Sequence, residues 1–138
     1  MKNFIKILFV LIVTTLFSKT STVFSQEIKE VKKSPVLTIV EIMPKFKGGE
    51  QAMYKWLSKK IKYPKNAKEN EITGTVIITF VIEKNGSVSN VEILKGIGGG
   101  CEEEALRVIK LMPKWKPGKQ SGVPVRVQFN LPIIFTLE

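Results

Sequence analysis

The chain has no histidine and only one cysteine, Cys101. Without histidine there is no Ser/His or Cys/His nucleophile pair, no imidazole metal ligand and no side chain that titrates unaided near neutral pH. One cysteine forms no internal disulfide and builds no thiolate zinc site. The absences point away from an enzyme and from any bound cofactor, and carboxylates and lysines are scattered without a convergent reactive set. With 138 residues and 43% apolar content, what remains fits one modest globular core.

The cysteine still invites a chemical reading, because it follows a glycine run in "GIGGGCEEEALRVIK" (Gly96–Lys110). Gly98, Gly99 and Gly100 let the chain turn, and Glu102, Glu103 and Glu104 put negative charge at the positive end of a helix dipole. Ala105, Val108, Ile109 and Met112 then repeat at helical spacing, and Pro113 stops the helix. Three adjacent carboxylates oppose thiolate formation, and no base is present to assist it. Cys101 is read as a small core residue at a helix start, not a nucleophile.

The N-terminus has the layout of an export signal. Residues 1–25 combine basic "MKNFIK", the apolar run Ile7–Phe17 and a polar tail, with Val23 and Ser25 small enough for a cleavage site before Gln26. The apolar run is short for a bilayer core of about 30 Å. The alternative is an uncleaved anchor extended through Ser18–Phe24, a stretch that Lys19 interrupts. With cleavage, Lys2, Lys6 and Lys19 leave and no acid does, so the net charge falls from +10 to +7. The lysines at 55, 59, 60, 62, 65 and 68 cluster around one expected helix and are read as a solvated face. No aromatic-interleaved motif accompanies them, and nucleic acid is not expected as a partner.

Residues 26–43 read as a tether, with "VLTIVEIM" (Val36–Met43) as an accessory strand that Pro44 ends. After Gly48-Gly49, the residues Met53, Trp56, Leu57 and Ile61 share one helical face, and Tyr63-Pro64 terminates it. "PKNAKEN" adds one helical turn. The pattern then changes to strands. "TGTVIITFVIEKNGSVSNVEIL" is a hairpin with a tight Asn85-Gly86 turn, and its first strand, apolar on both faces, should be central. "MPKWKPGKQSGVPV" reads as a loop, with Trp115 as a packed anchor. The last segment alternates from Val123 to Leu137, and Pro132 places it at a sheet edge or a bulge. The expected fold is an α+β two-layer domain over residues 44–138, a three-stranded antiparallel sheet packed on two helices.

These landmarks resemble the TonB C-terminal domain family. The matching positions are Tyr63-Pro64 with Ala67, Gly74-x-Val76, Gly86-x-Val88, Ala105, Trp115 with Pro117-Gly118, Gly122-x-Pro124-Val125 and Pro132-Ile133-x-Phe135. The upstream "MPKFKGGEQAMYKWL" looks like the leader of a common subgroup, so the resemblance spans about Met43 to Leu137. It implies a periplasmic, non-catalytic module that takes the TonB box of a TonB-dependent outer-membrane receptor as a strand beside its own last strand. Carried onto this sequence, the partner-binding residues are Val125, Arg126, Val127, Gln128, Phe129, Asn130 and Leu131, with Lys62 and Tyr63.

The sequence also departs from that family. A complete TonB transducer has a histidine-bearing membrane anchor and a long proline-rich spacer, and this chain has neither the histidine nor the spacer. Residues 26–43, at about 3.3 Å per extended residue, do not reach far. Lys62 stands where the family places a glutamine. Three readings remain open: a periplasmic binding module, an inner-membrane-anchored energy transducer engaging motor proteins, and an envelope module for protein contacts or a homodimer built on the exposed edge strand.

Overall fold

A computed structural model describes residues 33–138, so the expectations of a signal or anchor over residues 1–25 and of a tether from residue 26 lie largely outside the described residues. Residues 34–138 form one compact unit. Eight elements follow in order: β1 (Val36–Leu37), α1 (Glu50–Lys60), α2 (Lys65–Glu69), β2 (Gly74–Ile82), β3 (Val88–Lys95), α3 (Cys101–Lys110), β4 (Gly118–Gln120) and β5 (Val123–Phe135).

The period-two patterning of β2 and β5 dictates the main sheet. Val76, Ile78, Phe80 and Ile82 share one buried face of β2, and Leu131, Ile133 and Phe135 extend that face on β5. The two strands run antiparallel from Gly74 opposite Phe135 to Ile82 opposite Val127 without a register shift. β3 pairs with the other side of β2, so β2 is central, as its two apolar faces require. The helices cover the shared face. Met53 and Leu57 of α1, Ala67 of α2, and Cys101, Ala105, Val108 and Ile109 of α3 join the β2 and β5 residues in one core.

The expected three strands and two helices are therefore too few. β4 and β1 join β5, and α2 is a third helix. β4 escaped detection because it is a three-residue strand inside a stretch punctuated by proline and glycine. Its hairpin with β5 turns through Ser121 and Gly122, both at positive φ, the signature of a type I′ turn. The accessory strand expected over Val36–Met43 shrinks to Val36–Leu37, which pairs parallel with Arg126 and Val127. Beyond it the chain peels away, and Ile42 and Lys45 bridge to Lys119 and Lys116.

The β2–β3 turn also differs in type from the tight two-residue form. Gly86 donates to the Glu83 carbonyl and Glu83 donates to the Ser87 carbonyl, each at 2.8 Å. Of the Asn85-Gly86 pair, only Gly86 has positive φ. The result is a longer loop closed by a glycine bulge, to which the Asn85 side chain contributes by accepting from the Ser87 amide at 3.0 Å.

At the other glycine stretch, Gly99 turns at φ 68°, and a Cβ there would lie 2.8 Å from that of Ala67. The Glu102 carboxylate reaches back to accept from the Gly98 amide at 2.7 Å, and this bond holds its pKa below the usual carboxylate range. Cys101 is fully buried at the first turn of α3. Burial, then the Glu102 and Glu103 charges, push its thiol pKa up, away from reactivity.

Candidate partner-binding edge

The main sheet ends on β3 at one side and, past the two-residue β1, on β5 at the other, and the two edges differ. β3 is irregular: its pairing with β2 shifts register twice, and Asn90 at φ 47° marks one of the breaks. Bulges of this kind spoil an edge for a further strand. β5 is regular from Val127 to Phe135, and β2 occupies one of its sides throughout.

The opposite side of β5 divides into two parts. There Arg126 and Val127 pair with β1, and Val125 is engaged separately, by Gly118 in the β4 hairpin. From Gln128 onward, no strand among the described residues pairs with that side. The open edge thus starts three residues later than the sequence-derived segment Val125–Leu131 and runs on to Phe135.

A polar clasp fixes where it begins. The Arg126 guanidinium, 5% exposed, grips the Glu83 carboxylate with Nε at 2.7 Å and Nη2 at 3.1 Å. Its Nη1 donates to the Ser34 carbonyl at 2.7 Å, and Lys84 Nζ donates to the Ser34 hydroxyl at the same distance. The Glu83 hydrogen bond, with the charge behind it, raises the Arg126 pKa and keeps the group cationic. Arg126 therefore acts as a brace for β1, with its side chain turned into the fold.

Of the remaining sequence-derived residues, Gln128 and Asn130 are exposed, Phe129 is half-buried and Leu131 is core. Gln128 Nε2 donates to Thr79 Oγ1 at 2.9 Å on the sheet face away from the helices. Tyr63 stands at the far end of β5, its ring edge-on to Phe135 at 5.6 Å and its hydroxyl donating to the Ile72 carbonyl. Lys62 is tied down by its backbone amide, which donates to Glu104 Oε1 at 2.8 Å, and its side chain is left exposed. Lys62 and Tyr63 thus sit near one end of the edge, while Val125–Val127 sit at the other.

Sequence reading missed the wall beside this edge. Cavities border β5 along Phe129–Ile134 and are closed on their far side by Phe46, Tyr54, Ser58 and Ile61. Consecutive β5 residues that point to opposite sheet faces line them together, which places the openings at the strand's free side. Trp115 lines the larger cavity, packed against Phe46 at 5.6 Å and Phe129 at 5.1 Å. Its buried indole Nε1–H has no conventional acceptor among the described residues. The aromatic neighbours offer at most weak π acceptance. The "MPKFKGGEQ" leader was the available signal, an aromatic residue set between a proline and a glycine pair. No group of three or more carboxylates or thiols among the described residues is arranged to hold a metal ion.

No curated protein matches this chain. Among the solved structures that resemble it are two NMR solution structures of Helicobacter pylori TonB-CTD. One has 26% sequence identity and a TM-score of 0.49, covering 64% of this chain and 79% of its own. The other has 28% identity and a TM-score of 0.47, covering 64% of this chain and 95% of its own. The family described as Gram-negative bacterial TonB protein C-terminal matches residues 59–137, from the last turn of α1 through β5. That span is more than half of the chain, and the protein belongs to the TonB C-terminal family.

Proposed function

We propose that this protein is a periplasmic module that holds a segment of a TonB-dependent outer-membrane receptor as an added strand on β5, in energy-coupled transport. The observation that carries the reading is the regular open edge from Gln128 to Phe135, flanked by β2 on one side and by no described strand on the other. Strand addition draws its affinity from main-chain hydrogen bonds. It requires no reactive side chain, in keeping with a chain whose one thiol is buried and held protonated. In this reading Gln128–Leu131 supply the pairing backbone. Val125–Val127 supply the brace that ends it, and Lys62 and Tyr63 flank the far end.

Cleavage before Gln26 would release the module into the periplasm, whereas an uncleaved N-terminus would make it an anchored transducer within reach of inner-membrane motor proteins. No helix among the described residues is long and apolar enough to cross a membrane. N-terminal sequencing of the protein recovered from cells separates the two forms. Binding is tested by calorimetry with a peptide from an outer-membrane receptor. Saturable one-to-one binding supports the reading. Absence of binding, with the receptor's uptake unchanged in cells lacking this protein, overturns it.

A further inference from the structure

The space beside the open edge is two cavities, and Tyr54 of α1 lines both. The larger, about 540 Å³, is walled by Phe46, Met53, Tyr54, Trp115 and Phe129. The smaller, about 360 Å³, is walled by Tyr54, Leu57, Ser58, Ile61 and Ile133. Pro132 lies on the boundary between them, so the two follow one another along β5. We infer that this groove selects its strand by side chain, taking an acidic extended segment with an aromatic residue in the larger cavity and an aliphatic one two positions along in the smaller. The inference rests on the strand-addition reading.

The spacing comes from the strand. Leu131 borders the larger cavity and Ile133 the smaller, and both point to the helix-covered face. Same-face residues on a strand lie about 7 Å apart, and an added strand keeps that interval. Its helix-facing side chains therefore reach the two cavities at i and i+2, on either side of the Tyr54 ring. A peptide with its two apolar residues adjacent sends one of them to the opposite sheet face.

Wall chemistry sets the residue types. Phe46, Tyr54, Trp115 and Phe129 all line the larger cavity, and Trp115 already packs against Phe46 and Phe129 with steeply tilted rings, a geometry that favours another ring. Apart from its Tyr54 wall, the smaller cavity is bounded mainly by aliphatic side chains. Charge sets the flanks. Lys45 lines the groove, and Lys55 and Lys59, both exposed, follow Tyr54 and Ser58 in α1. Glu50 is the single carboxylate lining either cavity, in a chain of net charge +10. Acidic residues on the incoming strand complement that rim.

The test uses the full chain and two synthetic nine-residue peptides of identical, glutamate-flanked composition. One places Phe and Leu two positions apart, the other places them side by side. Calorimetry gives affinity, and amide exchange over Gln128–Phe135 shows whether the edge is occupied. The alternating peptide is expected to bind about tenfold tighter, the scale of one apolar side chain finding or missing its pocket. Tyr54→Ala should bring the two peptides within about twofold of each other by merging the cavities. Ser58→Trp, which fills the smaller cavity from an exposed position, should weaken only the alternating peptide. Equal affinities with the edge protected overturn the inference and leave strand addition standing. Failure of both peptides to protect the edge overturns the two together. Protection that grows with protein concentration and needs no peptide assigns the groove to a second copy, which also overturns the inference.

Discussion

Trp115 and Gly86 lock the turn of the β2–β3 hairpin to the segment leading into β4: the Trp115 amide donates to the Gly86 carbonyl at 2.8 Å. The approach is so close that a Cβ on Gly86 would fall on the Trp115 carbonyl oxygen. Gly86 also sits at φ 85°, where a side chain is strained. Gly86→Val is expected to cost about 3 kcal/mol, combining the left-handed penalty with overpacking. A thermal melt checks it, and coincident curves for mutant and parent would contradict the contact.

Cys101 offers a second test. Cys101→Ser places a hydroxyl among Ala105 and the other core residues and should cost about 1–3 kcal/mol while leaving peptide binding intact. The thiol also imparts a pH dependence with a definite sign. Its folded pKa is raised, so it favours the folded state fully below the ordinary thiol pKa and loses that contribution as pH rises through the raised value. Denaturant midpoints of the parent should fall across that alkaline window more steeply than those of Cys101→Ala. Parallel curves would show that the thiol ionises freely.

The acid side depends on Glu104. Its carboxylate takes Arg107 Nη2 at 2.6 Å and the Lys62 amide at 2.8 Å, and Arg107 in turn donates to the Lys60 carbonyl at 3.1 Å. This ties α3 to the end of α1. The Arg107 hydrogen bond depresses the Glu104 pKa, so the bond stabilises above the ordinary glutamate pKa and is lost as pH falls through the depressed value. Glu104→Gln should remove part of the acid sensitivity and about 1 kcal/mol of stability at neutral pH. Chemical denaturation at neutral and acid pH reads both effects.

A proline scan of β5 separates its two sides. Pro132 stands opposite Ile77 in a ladder without register shifts, and it has no N–H to give. The ladder loses nothing if Pro132 belongs to a pair whose polar groups face outward. By the same alternation, Gln128 faces outward and Val127 faces β2. The Gln128 amide lies against Leu37 of β1, so the next outward residue is the one to change: Asn130→Pro should stay folded by circular dichroism and lose peptide binding, whereas Val127→Pro should unfold. A folded Asn130→Pro variant with normal binding would remove the open edge as the site.

The parts of this fold legible in the sequence are those written as periodicity. α1 and α3 announced themselves by apolar residues at three- and four-residue intervals, and β2 and β5 by alternation. β1 and β4 carry too few residues for a period to register, and they exist because β5 offers them a partner. For that reason the strand proposed as the site was legible and the length of its open edge was not. Alternation in β5 marks a strand, but nothing in Val125–Val127 reveals that Gly118 and the Val36–Leu37 pair already occupy them. The groove was hidden for a different reason. Tyr54 and Phe46 lie distant in sequence from β5, and only tertiary packing brings them to it.

The central claim is tested most directly by residue-resolved amide exchange, with and without a receptor-derived peptide. In the free protein, Asn130 and Ile134 should exchange quickly, while Phe129, Leu131 and Ile133 are held by β2 and exchange slowly. On adding peptide, those two should slow by about tenfold or more, with the three β2-facing amides unchanged. If the peptide binds and protection instead appears on β3, or nowhere along Gln128–Phe135, β5 is not where this protein receives its partner.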